Sequence, residues 1–352
     1  MKSETLYAIG LMSGTSLDGL DICFVSFCQD HCSQWNYEIL EVETIVYPET
    51  WEEKLKNAIH LNSEDLLALN AEYGFYLGDK VREFIIKNNI KKLDVISSHG
   101  HTVYHQPHRK FTLQIGDGRA IKIINNFPIA YDFRSQDVLM GGNGAPLVPI
   151  GDQLLFSDYD ACINLGGFSN ISFQKDNNRL AFDICPVNIV LNLYAQKLGK
   201  PFDENGDFAK KGNVNDCILN ELNNLLYYKS DFPKSLGVEW VNQEILPILK
   251  SISDIDVLAT VTEHSAVQIA QVINGFGFQQ ILVTGGGAYN CFLIEKIQNK
   301  IEGQIVIPKD EIINFKEALI FAFMGVLRLK NQNNVLASAT GCFQDHCSGI
   351  LI

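Results

Sequence analysis

Residues 10–21 read Gly-Leu-Met-Ser-Gly-Thr-Ser-Leu-Asp-Gly-Leu-Asp, a stretch rich in small and hydroxyl-bearing side chains. Glycines let backbone N–H groups come close to an anion, and Thr15 and Ser16 add hydroxyl donors. Asp18 puts a carboxylate in the same loop, the kind of oxygen ligand that a phosphate-bridging Mg2+ takes. A tight hairpin turn needs only about two residues, so a connection this long and polar suits an anion better than a plain reversal. A Walker A loop carries Gly-Lys-Ser/Thr and opens a helix. Here there is no lysine, and Ile22-Cys23-Phe24-Val25-Ser26-Phe27 follows as a strand, mirroring Leu6-Tyr7-Ala8-Ile9 before the loop. The chemistry expected is phosphate binding at the turn of a β-hairpin.

Two further glycine turns close strand-like runs. Residues 159–165 lead into Gly166-Gly167 and then Phe168-Ser169-Asn170-Ile171-Ser172-Phe173, which repeats the order strand, glycine turn, strand. Gln280-Ile281-Leu282-Val283-Thr284 runs into Gly285-Gly286-Gly287, and a helix is expected over 290–298. Strand, glycines and helix gather backbone donors and a positive helix end at one point, which suits a nucleotide. Any one such turn is what chain reversal needs anyway; three at strand ends form a set.

Histidines 99, 101, 105 and 108 invite a zinc reading, since His99 and His101 share a face of an extended segment. The plainer reading is a loop with solvated histidines. Gln-Asp-His-Cys occurs at 29–32 and again at 344–347, with Cys28 and Cys342 just upstream. Packed together, the two copies could form a thiol-rich metal site; coincidence between two polar turns is the plainer account. Glu317 heads an apolar helical run, where an acid also complements the helix dipole.

The elements that must carry these residues alternate between helix and strand. Helical spacing of apolar residues is expected over Glu52 to Ile59, Ser63 to Lys87, Ile189 to Leu198 and Thr260 to Asn274. Ser63, followed by Glu64 and Asp65, reads as an N-cap with an acidic first turn. Short strands are expected at 93–97 and 111–115. Residues 132–149 are polar and glycine-rich, and a domain boundary is expected just before them, giving domains 1–130 and 131–352, with the last helix able to pack back on the N-terminal domain. The repeated hairpin suggests a duplicated α/β fold with a ligand cleft between its halves.

A chain of 352 residues has room for two cores. Its 46% hydrophobic and 20% charged content is that of an ordinary enzyme. A net charge of −13 argues against nucleic acid as a partner. The longest apolar run, about Ala318 to Leu327, is too short to span a bilayer, so no membrane association is expected. There is no signal-peptide pattern, and nine scattered cysteines read as reduced thiols, so the expectation is a cytoplasmic protein.

The absence of a P-loop lysine, together with the hairpin loop, points toward sugar-kinase and actin-type ATPases. More specifically, the chain resembles the anhydro-N-acetylmuramic acid kinases of the actin/hexokinase/Hsp70-type ATPase superfamily. The resemblance rests on Gly10 to Asp21, His99-Gly100-His101-Thr102-Val103, Thr112 to Asp117, Asp132-Phe133-Arg134, Gly141 to Pro149, Asn164 to Gly167, Pro233-Lys234-Ser235, Gly285 to Asn290 and Glu317-Ala318-Leu319, in this order. It implies two actin-like (ribonuclease H-like) domains flanking a cleft, and a kinase that opens the 1,6-anhydro ring of an amino sugar while phosphorylating O6. A homodimer is compatible with the family.

By the same resemblance, Gly14, Thr15, Ser16, Leu17, Asp18, Gly19, Leu20 and Asp21 would hold the phosphates of ATP, with Asp18 near Mg2+. Gly166 and Gly167 would form a second phosphate loop, and Gly285, Gly286, Gly287 and Asn290 the adenosine side. His99, Thr102, Asp132, Arg134, Ala145 and Pro146 would fall near the sugar. Asp183 occupies the place of the catalytic aspartate, and Glu317 would help hold water or sugar. Read without the family, Asp183 is equally a turn-capping residue near Pro186. The chain departs from the family where Ile184-Cys185-Pro186-Val187-Asn188 replaces Thr-Gly-Pro-Gly-Asn, where His101 replaces Gln, and where Leu236 and Val238 replace Thr and Arg. These departures leave two alternatives: a kinase of the same fold for a different sugar, or a non-catalytic ATP- or sugar-binding regulator.

Overall fold

The computed structural model describes residues 4–14, 17 and 19–352. Its first hairpin pairs β1 (Thr5–Ser13) with β2 (Leu20–Gln29), antiparallel from Thr5 opposite Cys28 to Ser13 opposite Leu20. Ile9, Ile22, Val25 and Phe27 are fully buried, which is why this apolar pair sits at the centre of a sheet rather than at its edge. β3 (Trp35–Ile45) extends the antiparallel meander beside β2. On the other side of β1, β4 (Val95–Ser98) pairs parallel. β5 (His101–Gln106) and β6 (Phe111–Ile115) form a separate two-stranded sheet. β7 (Ile129–Tyr131) pairs parallel with β4, and the strand Ile350–Leu351 closes that edge antiparallel.

The second sheet repeats this plan. β8 (Ala161–Leu165), β9 (Phe168–Lys175) and β10 (Asn178–Pro186) form an antiparallel meander. β11 (Gln280–Thr284) and β12 (Gln304–Val306) add parallel beyond β8. The order β10-β9-β8-β11-β12 matches β3-β2-β1-β4-β7 in sequence and in strand sense. The duplicated, ribonuclease H-like α/β arrangement expected from the repeated hairpin is therefore present.

Helix boundaries follow the amphipathic runs. α1 (Glu49–Asn57) continues into one 3-10 turn, Ala58–His60. α2 covers Ser63–Lys87 as expected, but its cap is Asn62 and not Ser63: the Asn62 side chain accepts the Asp65 N–H at 3.0 Å. Asn62 still has extended backbone angles, which is the condition for capping, whereas Ser63 is already helical. α3 (Asn188–Lys197), α4 (Asp254–Phe276), α5 (Cys291–Gln298) and α6 (Asp310–Leu329) complete the elements used below.

The chain forms two compact units, one of Met1–Leu155 with Phe315–Ile352, the other of Phe156–Asn314. The boundary expected between 130 and 131 falls inside the first unit, because residues 129–131 are β7 and hydrogen-bond to β4. The polar segment beyond it is held in the same unit, with Asn143 N–H bonded to Thr340 O at 2.8 Å. The last long helix also belongs there. A Cβ on Gly10 would lie 1.9 Å from Ala318 O, so β1 and α6 meet backbone to backbone at a position only glycine can occupy. Ser97 of β4 donates its hydroxyl to the Phe321 carbonyl of the same helix.

Candidate active site

The turn of the first hairpin is where phosphates are expected. Gly14 O accepts the Leu17 N–H at 3.3 Å, Leu17 has φ 62°, and Gly19 has φ 154°. Leu20 begins β2, and the Asp21 carboxylate accepts the Thr44 hydroxyl at 2.6 Å, which ties the loop's exit to β3. Thr15, Ser16 and Asp18, the hydroxyl donors and the metal ligand of the sequence reading, lie outside the described residues.

Behind this turn runs a buried hydrogen-bond chain that the sequence did not suggest. Tyr47 donates to Ser13 Oγ at 2.8 Å, Tyr73 OH lies 2.6 Å from Tyr47 OH, and Ser13 Oγ lies 3.2 Å from His101 Nδ1. With the Tyr47 proton committed to Ser13, Tyr73 must be the donor to Tyr47. Burial pushes the His101 imidazole down to about 4, so it is neutral near pH 7.

His99 and Arg134 form the polar centre of the first unit. His99 Nδ1 lies 2.9 Å from Gly100 O, an acceptor, so Nδ1 carries the hydrogen and Nε2 accepts from Arg134 Nε at 2.9 Å. Burial, then the Arg134 charge, holds His99 well below the usual imidazole range. Arg134 Nη1 donates to Gly144 O at 2.6 Å, immediately before Ala145-Pro146. Burial lowers the guanidinium to about 10, opposed by Glu317 and Asp137. Glu317 keeps solvent access, yet desolvation by the surrounding protein raises its carboxyl, with Asp21 adding and Arg134 and Lys316 opposing. Lys316 itself is ion-paired with Asp152 at 2.7 Å.

The structure thus joins His99, Arg134 and the 144–146 segment by hydrogen bonds, and Glu317 to them by charge. Thr102 is bonded instead to Gln114, at 3.2 Å from its Nε2, and Asp132, at φ 55°, accepts the Ser135 N–H. Among the described residues the four histidines 99, 101, 105 and 108 form no metal-ligand group. Ring nitrogens of His99, His101 and His105 are spent on separate partners, His105 Nδ1 on Thr112 Oγ1, while His108 is exposed.

In the second unit the two remaining glycine turns lie against each other. A Cβ on Gly285, at φ 81°, would stand 2.5 Å from Asn164 Oδ1. One on Gly287 would stand 2.7 Å from Leu165 Cβ. Gly166 and Gly167 carbonyls accept the N–H groups of Asn188, Val187 and Ile189, so the start of α3 is satisfied by this turn. Asn188 Nδ2 also donates to Leu165 O at 3.2 Å. Asn290 caps α5 through the Leu293 N–H. Beside these turns opens a cavity of about 1020 Å3, lined among others by Asn188, Glu204, Gly286, Tyr289, Asn290 and Asp310. Around Gly286 the nearest atom to an added Cβ is 3.9 Å away, so a flat ring or a phosphate could approach its backbone.

Asp183 sits where β10 bulges: pairing with β9 slips between Asp183 and Cys185. A bulge re-aims one side chain out of the strand alternation. The Asp183 Oδ2 accepts the Leu236 N–H at 2.8 Å, and Oδ1 takes no hydrogen bond from the described residues. Tyr227 donates to the Asp183 carbonyl at 2.6 Å, and Asp183 N–H donates to Lys234 O at 3.1 Å. Burial raises the carboxyl above its ordinary value, against the Leu236 bond. The residues that depart from the family, Ile184, Cys185 and Val187, are at most 2% exposed and belong to the apolar core of this unit. Their side chains exchange glycine freedom for packing, and none replaces Asp183's own contacts. Sequence reading reached 233–236 only through the family resemblance and did not connect it, or Tyr227, with Asp183, because the partners lie 44 to 53 residues apart and no local pattern links them.

A family model for anhydro-N-acetylmuramic acid kinase matches residues 6–352. An anhydro-N-acetylmuramic acid kinase of Francisella tularensis subsp. novicida is 34% identical, covering 96% of both chains. That of Haemophilus influenzae is 33% identical over 95% of this chain and 94% of its own, and that of Bacillus cereus 32% over 96% and 97%. Among solved structures, a ROK family glucokinase from Streptomyces griseus in complex with glucose and AMPPNP aligns with 91% of this chain and 99% of its own, at 12% identity and TM-score 0.41. The alternatives of another sugar or a non-catalytic regulator find no support in the curated relatives. With its motifs in order and its matches full length, the chain belongs to the anhydro-N-acetylmuramic acid kinase family.

Proposed function

We propose that this sugar kinase of cell-wall recycling takes its phosphoryl group from Mg-ATP and uses Asp183 as the base that activates water. Opening the anhydro ring requires water to bond to the anomeric carbon as the bond from that carbon to O6 breaks. The released O6 bonds to the γ-phosphorus, the bond to the β-phosphate oxygen breaks, and ADP leaves. The water's proton passes to Asp183. The observation that carries this reading is the Asp183 carboxylate itself: one oxygen is fixed by the Leu236 N–H and the other takes no donor among the described residues. Its raised proton affinity suits a base, since a carboxylate nearer neutrality removes a proton more effectively.

Adenosine is assigned to the cavity beside Gly286, whose open side accepts a group that a side chain would block. The hairpin turn at Gly14 to Asp21 in the first unit and the Gly166-Gly167 turn in the second are each assigned to phosphate, and Asp18 is the oxygen ligand the sequence offers to Mg2+. The metal, when bound, neutralises charge on the transferring phosphoryl group. Arg134, its direction fixed by His99 and Gly144, is assigned to the sugar together with Ala145 and Pro146, and Glu317 to holding water or sugar. Dependence on ATP places the reaction in the cytoplasm.

The test is incubation with Mg-ATP and 1,6-anhydro-N-acetylmuramic acid, reading ADP and the mass of the sugar. A product heavier by one phosphate and one water is expected. Asp183→Asn should lower kcat by about 10²–10⁴-fold with the fold intact. ADP release without sugar consumption would refute the assigned substrate, and an Asp183→Asn enzyme of normal kcat would refute the assigned base.

A further inference from the structure

Away from the residues used above, Asp137, Cys342 and His346 converge inside the first unit, one ligand atom from each lying within 4.8 Å of the others. All three are buried, at 0%, 8% and 5% exposure. Asp137 comes from the short helix Ser135–Leu139, while Cys342 and His346 flank the turn after Ala337–Thr340. The His346 backbone bridges to Val335 in both directions, which fixes the ring's origin. Asp137 is equally fixed: Oδ2 accepts the Gly144 N–H and Oδ1 the Thr340 hydroxyl, each at 2.7 Å.

His346 Nδ1 lies 3.2 Å from the Gln344 carbonyl oxygen, which can only accept, so the hydrogen sits on Nδ1. The lone pair is then on Nε2, which is buried and has no hydrogen-bond partner. Nε2 faces Asp137 Oδ1 at 3.9 Å, too far for a hydrogen bond. An imidazole lone pair and a carboxylate therefore face one another in a buried setting, an arrangement that a cation satisfies. Cys342 Sγ stands 3.7 Å from His346 Nδ1 and 3.1 Å from Gln344 O. The ring is thus held through its far nitrogen by a backbone carbonyl, the outer-shell device common to metal-binding histidines.

We propose that Asp137, Cys342 and His346 form a structural site for a zinc-class divalent ion, with a water as fourth ligand. Sulfur, nitrogen and oxygen donors together suit a borderline ion, whereas Mg2+ and Ca2+ take oxygen alone. Bonds of about 2.0–2.3 Å in a tetrahedron separate donor atoms by about 3.3–3.8 Å, so the donors, now within 4.8 Å of one another, close on the ion by rotation of Cys342 and His346. Binding converts the thiol to thiolate, and its proton goes to solvent. The ion would tie the C-terminal turn to the 135–144 segment, whose Gly144 carbonyl orients Arg134. Of the two Gln-Asp-His-Cys copies, only the second takes part. The first forms a turn in which Asp30 Oδ1 accepts the Cys32 and Gln34 N–H groups, and Cys32 is exposed.

The experiment strips the full-length protein with a chelator, reloads it with Zn2+ or Co2+, and removes free metal by gel filtration. Elemental analysis is expected to find about one ion per chain, and the cobalt form to show tetrahedral d–d bands with a sulfur-to-cobalt transition. Cys342→Ser should remove the sulfur transition and weaken retention at least about tenfold, and His346→Gln should do the same to retention. Zinc should raise Tm of the wild type but not of either variant. A wild-type protein that retains no stoichiometric metal overturns the proposal. So does a wild-type cobalt spectrum without sulfur character, a result that needs no variant to fold. Metal retained unchanged in Cys342→Ser would overturn it as well, by placing the ion on the exposed thiols Cys32, Cys217 or Cys291.

Discussion

At the scale of single residues, the two assigned polar centres differ in how they are held. Asp183 is placed by backbone groups from a distant segment, while Arg134 is placed by two directed bonds from its own side chain. A guanidinium can satisfy a ring nitrogen and a carbonyl at once because its N–H groups form a rigid fork. Lysine keeps the charge but has a single, freely rotating head. Arg134→Lys should therefore leave folding nearly intact and raise KM for the anhydro sugar by about tenfold or more, with KM for ATP unchanged. Steady-state kinetics with each substrate varied in turn separates these effects. An equal rise in both constants would mean that Arg134 braces the unit as a whole and does not address the sugar.

At the scale of elements, the contact between β1 and α6 decides whether the first unit closes. Gly10 lies so near Ala318 O that any side chain must push the helix away, and the helix also takes the Ser97 hydroxyl at Phe321. Gly10→Ala should cost about 3 kcal/mol or more, read from urea unfolding. A cost under about 1 kcal/mol would mean that α6 moves freely off the sheet. This contact explains what the sequence revealed and what it did not. Ser63–Lys87 was legible because burial on one face leaves a helical period, and Gln280–Thr284 because burial on both faces leaves a short continuous apolar run. The glycine turns were legible for the same reason, as small residues closing strands. Packing of the last helix on the first domain was expected, but the return of all of 315–352 to the first unit was not derivable from pattern, because contacts across about 200–300 residues leave no periodic trace. Nor was the role of 132–149. Its glycines look like a linker, yet the buried Asp137 turns the segment back on itself through the Gly144 N–H. The lining of Asp183 by 227–236 was hidden likewise, since a backbone N–H donor has no sequence signature.

At the scale of the whole molecule, each unit has its own apolar core, and each buries neutral histidine. His264 on α4 lies 2.7 Å from Asn223 Oδ1 and 2.8 Å from Tyr228 OH, at 2% exposure, and burial pushes it down to about 3. His101 is pushed down to about 4 and His99 well below its ordinary 6.5. In the unfolded chain these rings take up protons near 6.5; in the native protein they do not until much lower pH. A depressed folded value means stability is fully present above about 6.5 and is lost as pH falls from there toward the folded value. Each ring loses about 1.4 kcal/mol per pH unit in that window, so His264 alone accounts for about 2 kcal/mol between pH 7 and pH 5. Asp183 and Glu317, whose folded values are raised, bind protons natively first and offset part of this loss at the lower end. Relief of the net charge of −13 acts in the same opposing direction, but through exposed groups that salt screens. His264→Gln can donate to Asn223 and accept from Tyr228 without titrating. Its urea midpoint should therefore fall less steeply than the wild type's between pH 7 and pH 5, by the equivalent of one proton, at high salt as at low. Parallel slopes for the two proteins would mean that His264 is protonated in the native state, and that the Tyr228 hydroxyl accepts from the ring instead of donating to it.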